Sequence, residues 1–199
     1  MNLNRTLLFL ALTASLSGCL FPLSVTPTRH YIIDPKLHIE PAETLDLTLG
    51  FRPLAVAQPY DRRMAFVAPN HLLGYRPHEE WAEKPEDTAT RAIADALIAT
   101  KRFKDLGDAS HMARPDLMLT GEIRKFHEDR TGARPMAVVE MRLELREARG
   151  NAERWADTLH AEIPIEGGLK AKGNAVAAAM TQALAEVAEK AAAGISRAK

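Results

Sequence analysis

An α+β domain is the fold class this sequence predicts: an antiparallel or mixed β-sheet with two main helices packed on one face. Three observations predict it. Three consecutive segments between residues 117 and 165 alternate apolar and polar side chains, the signature of strands with one buried face. Leu169 to Ile195 is alanine-rich, and its larger apolar residues recur at steps of three and four. A shorter stretch opening at Pro85 repeats the same helical spacing.

Taken in order, Arg5 is the one charge of the first stretch and Leu7 to Ala14 follows, a positive start and then a short apolar run. That run is too short for a membrane-spanning helix, which needs about 20 apolar residues, and matches a secretory signal. Leu16-Ser17-Gly18-Cys19 closes it and resembles the bacterial lipobox, in which the cysteine thiol and the new amino terminus are acylated. Residues 1–18 are therefore expected to be a signal peptide and Cys19 the lipid-attachment residue. Three acyl chains exceed the two-signal requirement for stable anchoring. Residues 19–29 hold two prolines and no helical period, and read as an extended tether. Residues 30–199 follow as a single domain.

Within it, His30 to Ile33 is a candidate strand stopped by Asp34-Pro35, and a polar connector with Pro41 follows. Leu45, Leu47, Leu49 and Phe51 mark a period-two strand running to Val56, with Gly50 and Pro53 predicting a bulge or break. Pro59-Tyr60-Asp61 is a turn. Met64 to Val67 and His71 to Tyr75, separated by Pro69-Asn70, form a hairpin.

Pro85-Glu86-Asp87 starts a helix, with proline in the first turn and acids against the N-terminal dipole. Ala89, Ile93, Ala96, Leu97 and Thr100 carry it to about Lys101. In the meander, Leu117, Leu119 and Ile123 oppose Thr120, Glu122 and Arg124. Val139, Met141, Leu143 and Leu145 alternate with Glu140, Arg142, Glu144 and Arg146. Trp155, Leu159, Ala161, Ile163 and Ile165 form the third strand, whose pattern Asp157 interrupts. The final stripe, Val176, Met180, Leu184, Val187, Ala191 and Ile195, is expected to cover the meander's apolar face.

Composition narrows the function. The 26 acidic and 26 basic residues balance, which argues against a nucleic-acid partner and against a polybasic route to a membrane surface. Membrane attachment must come through acyl chains at Cys19, the one cysteine. Motifs for phosphate loops, nucleophile elbows and zinc-binding His-Glu-x-x-His helices are absent. The seven histidines are scattered, and no metal, cofactor or catalytic residue is predicted. His78-Glu79-Glu80 is read as a solvated loop, and the alternating charges from Glu140 to Arg146 as a solvated sheet face. Trp81, beside Glu79, Glu80 and Glu83, is either a ring folded back onto the core or a protein-contact anchor. Tyr60 and Tyr75, aromatics in polar loops, join Trp81 as expected partner contacts.

Several segments together resemble the ABC-type transport auxiliary lipoproteins, which include the paraquat-inducible C-type proteins. Tyr31-Ile32-Ile33-Asp34-Pro35 is similar to the family's Tyr-x-Leu-x-Pro opening after the lipobox. Gly50 to Val56, then Pro59-Tyr60-Asp61-Arg62, resembles its strand and Pro-x-Tyr-Leu-Asp-Arg turn, here without the leucine before Asp61. Glu80-Trp81-Ala82-Glu83 resembles a Trp-Ala-Glu-Pro segment, with Lys84 before Pro85. Arg91 to Leu97 and Leu119 to Phe126 resemble the helix and strand that follow.

The resemblance implies a non-enzymatic subunit of an envelope lipid-transport system. Its implied partners are an MCE-domain protein and an inner-membrane permease, with homo-oligomerisation left open. Leu20 stands where an aspartate would signal inner-membrane retention, which by resemblance favours the periplasmic side of the outer membrane. The alternative is an outer-membrane lipoprotein regulating cell-wall synthesis or envelope assembly.

Overall fold

The computed structural model describes residues 26–198. The signal segment, Cys19 and most of the tether lie outside the described residues. The elements run β1 (Arg29–Tyr31), β2 (Leu45–Phe51), β3 (Ala55–Val56), β4 (Arg63–Ala68), β5 (Leu72–Trp81), α1 (Pro85–Ala99), β6 (Phe103–Asp108), β7 (Leu117–Asp129), β8 (Met136–Glu147), β9 (Glu153–Pro164) and α2 (Gly173–Arg197). The predicted class holds: one mixed sheet of nine strands carries two helices.

β7 organises the sheet. One edge pairs antiparallel with β8 from Leu117↔Glu147 to Asp129↔Met136, and β8 pairs antiparallel with β9. This is the predicted meander. The other edge is served in turn by three parallel strands: β2 at Leu117–Leu119, β3 at Glu122–Ile123 and β4 at Glu128–Asp129. The predicted break at Pro53 is what separates β2 from β3. Proline cannot donate to a ladder, and the following amide, Leu54 N–H, turns instead to Thr90 Oγ1 on α1 at 2.9 Å. β6 pairs parallel with β2, while β4 and β5 form the predicted hairpin. β1 adds parallel to β5 and begins at Arg29, one residue inside the expected tether.

The stripe on α2 is buried as its spacing requires: Val176, Met180, Leu184, Val187, Ala191 and Ile195 are each at most 1% exposed. They share one core with Ala89, Ile93 and Leu97 of α1, Leu119, Ile123 and Phe126 of β7, and Val139, Met141, Leu143 and Leu145 of β8. Burial of one such large side chain stabilises by about 1.5–3 kcal/mol. That exceeds the helix-propensity differences among ordinary residues, up to about 0.7 kcal/mol, so packing rather than alanine content fixes α2 in place.

The far face of the meander is wet. Lys125 bonds Glu140 at 2.7 Å, and Arg146 bridges Glu144 at 3.2 Å and Glu153 at 3.1 Å. Such part-exposed pairs contribute about 0–1 kcal/mol each.

Candidate functional site

The segment arriving from the lipobox side enters the domain at β1, and a buried ionic cluster forms there. Its origin is a bulge in β5. Arg63 faces Glu80 and Ala65 faces Tyr75, so the four residues from Arg76 to Glu79 stand opposite Met64 alone. His78 takes a left-handed backbone (φ 56°) at this point. A bulge re-aims side chains, and here it turns Arg76 and Glu79 inward. The expectation of a solvated loop at His78-Glu79-Glu80 is corrected: these residues lie in β5, and Glu79 is 6% exposed. The irregular backbone, not the residue types, decides it.

Arg76 joins three parts of the fold. Its Nε donates to Glu79 Oε2 at 2.6 Å, Nη1 to Glu128 Oε2 of β7 at 3.1 Å, and Nη2 to the Ala171 carbonyl just before α2 at 2.7 Å. Glu128, fully buried, is also held by Arg130 through Nε (2.9 Å) and Nη2 (2.8 Å). Two cations thus face two carboxylates, and the cluster carries no net charge.

Glu79 completes the junction with β1. Its Oε1 accepts from the Tyr31 hydroxyl at 3.2 Å and from the Gly173 N–H at 3.3 Å, and Arg29 lies 3.6 Å away. The carboxylate therefore caps the first turn of α2, where an anion meets the positive end of the helix dipole. Burial alone would raise the Glu79 pKa, but Arg76, the Gly173 amide and Tyr31 outweigh it and hold the carboxyl below its ordinary range. Gly173 is required by close approach: a Cβ there would stand 2.5 Å from Tyr31 Cε2.

Beside this clamp of β1 onto β5 and α2, Tyr31, Ile32, Ile33, Trp81, Ala82, Glu83 and Thr88 line a cleft of about 240 Å³. Ile32 stands at its rim, 74% exposed. Glu83, the acid on its wall, is bound by Arg91 at 2.5 Å and by Thr88 at 3.2 Å.

The three aromatics expected to meet a partner do not lie together. Trp81, expected in a polar loop, is the last residue of β5 and 3% exposed. Its ring meets Phe126 edge-on at 5.8 Å. Tyr60 stacks on His127 at 5.7 Å. Phe126 and His127 are neighbours on β7 and point to opposite faces. Trp81 therefore lies within the helix-covered core, while Tyr60, half-buried, packs against the border of that core and on His127. Tyr75 joins Tyr60 at the turn: its hydroxyl donates to the Pro59 carbonyl at 3.1 Å, and Arg63 lies 3.8 Å over its ring. Arg63 is in turn paired with Asp61 at 2.7 Å. Tyr60, Tyr75, Asp61 and Arg63 thus form one half-exposed patch.

The Tyr60 hydroxyl lies 2.8 Å from His127 Nδ1, the contact a general base would make with a hydroxyl. Burial works against that chemistry at both ends. It raises the phenol and lowers the imidazole, so both groups stay neutral and the pair acts as a packed lock. Among the described residues no group of three or more His, Cys, Asp or Glu could hold a metal ion. Among them, too, no helix is long and apolar enough to cross a membrane.

A family model described as the ABC-type transport auxiliary lipoprotein component matches residues 55–192. The chain belongs to this family. The matched span of the auxiliary lipoprotein contains every charged member of the buried cluster, Arg76, Glu79, Glu128 and Arg130, and leaves β1 and β2 outside.

Among solved structures, a Xanthomonas campestris protein of the DUF330 family is similar with a TM-score of 0.73 at 21% identity, over 85% of this chain and 96% of that one. A hypothetical protein from Chlamydia trachomatis is similar with a TM-score of 0.53 at 10% identity, over 76% and 96%. At these identities the likeness is one of fold. A search of curated proteins gave no match.

Proposed function

We propose that this auxiliary lipoprotein is anchored by acyl chains on Cys19 at the periplasmic side of the outer membrane. There it serves as a non-catalytic docking or assembly subunit of an envelope lipid-transport system with an MCE-domain protein and an inner-membrane permease. Family membership supports the transport association, and the lipobox-like Leu16-Ser17-Gly18-Cys19 supports the anchor.

The observation that carries the reading is the clamp. The strand arriving from the anchor is bound to β5 through Arg29↔Glu79, His30↔Glu80 and Tyr31↔Trp81, and locked by Tyr31 and Glu79 to the start of α2. A tether joined to the core this way would keep the domain within the tether's length of the bilayer. Confinement raises its effective concentration for a membrane-spanning partner. The patch of Tyr60, Tyr75 and Arg63 is the contact surface in this account, because aromatics and arginine dominate interface hot spots.

Radiolabelled palmitate and membrane fractionation test the anchor. Label should enter the wild-type chain, which should sediment with outer-membrane fractions. Cys19→Ser should take up no label and leave the membrane. Retention of the unlabelled variant on the membrane would overturn the assignment.

A further inference from the structure

β9 is the last strand on its side of the sheet and pairs with β8 alone among the described strands. Its 12 residues would ordinarily present a row of free backbone groups, a template for another strand. The parity of that row is set by one bond. Ile165 N–H donates to the Pro135 carbonyl on the β8 side at 2.9 Å. Odd residues therefore face β8, and Thr158, His160, Glu162 and Pro164 face outward.

At three of these outward positions one backbone group is already engaged or missing. The Thr158 N–H donates to Asp157 Oδ1 at 2.7 Å. The His160 carbonyl accepts from Lys190 Nζ, reaching across from α2, at 2.7 Å, and Glu186 steadies that ammonium at 2.7 Å. Pro164 has no N–H, and sits where its absence costs the β8 ladder nothing. Asp157 itself pairs in register with Leu143 but is exposed, so its carboxylate is free to reach the edge. Its hydrogen bond is to the edge amide of Thr158.

We propose that Asp157, Lys190 and Pro164 close the outer edge of β9, so that neither a second copy of this chain nor an extended partner segment can lengthen the sheet there. A ladder along β9 would have to displace Asp157 from Thr158 and Lys190 from His160 before gaining its own bonds.

The test uses the full chain in detergent, comparing wild type with Asp157→Val combined with Lys190→Ala. Removing both guards should roughly double the weight-average mass by light scattering, as pairing of two identical edges requires. Exchange of the outward amides of β9 should slow in the same sample. Asp157→Asn keeps an oxygen acceptor for Thr158 and should behave as wild type. Should the double variant fail to fold, Lys190→Ala alone, on an exposed helix position, is read by the same two measurements. Unchanged mass and exchange in folded unguarded variants would overturn the proposal, as would β9 amides already protected by self-association in the wild type.

Discussion

Trp81 shows what single residues contribute. Its ring is buried against Phe126, and truncating such an aromatic costs about 3–5 kcal/mol through lost transfer energy and the cavity left behind. Trp81→Ala is therefore expected to lower the chemical-denaturation midpoint strongly, and a near-normal midpoint would contradict its place in the core.

His127 acts through pH. Burial depresses its pKa below the ordinary 6.5, so the unfolded chain binds the proton more readily. The stability it contributes is complete above about 6.5 and is lost as pH falls through the depressed folded value. Thermal unfolding followed between pH 7 and 5 should show the melting temperature falling with acid, and His127→Phe should flatten that slope. A slope unchanged in the variant would assign it to other groups.

At the scale of elements, the arginine in the β5 bulge holds β5, β7 and the approach to α2 together. Removing one partner from a buried charge cluster costs about 3–5 kcal/mol, because the remaining carboxylates are left uncompensated. Arg76→Met should lose stability of that order in denaturant titration, and should speed amide exchange in β1 and the first turn of α2 together. Loss confined to β5 would show that the clamp does not couple them.

The elements also show where sequence reading succeeds. The meander and both helices were legible because each buries one face, so the period of the side chains reports the period of the backbone. β6 was not legible: Phe103–Asp108 has no alternation and exists as a strand because β2 offers it a parallel edge. The buried cluster was hidden for a related reason. Arg76 with Glu79 and Glu128 with Arg130 are two local pairs that stand 52 residues apart and look like surface residues, and the β5 bulge and the pairing of β4 with β7 bring them together. Pro77, inside an otherwise strand-like segment, was the one local sign that the ladder breaks.

At the scale of the molecule, the parts form a sequence from membrane to partner. In the proposed arrangement Cys19 would carry the anchor, the Tyr31–Glu79 junction binds β1 to the core, and the Tyr60–Tyr75 patch would meet the partner. Docking to the membrane-spanning partner is what this arrangement would serve. The most direct measurement is capture of the MCE-domain protein on the full, lipidated chain from envelope membranes containing both, compared with the chain carrying Arg63→Glu and Tyr75→Ala. The account predicts that the wild type retains the MCE-domain protein and the patch variant, folded and still membrane-bound, releases most of it. Failure of the wild type to retain it, with both proteins present and intact, would contradict the account.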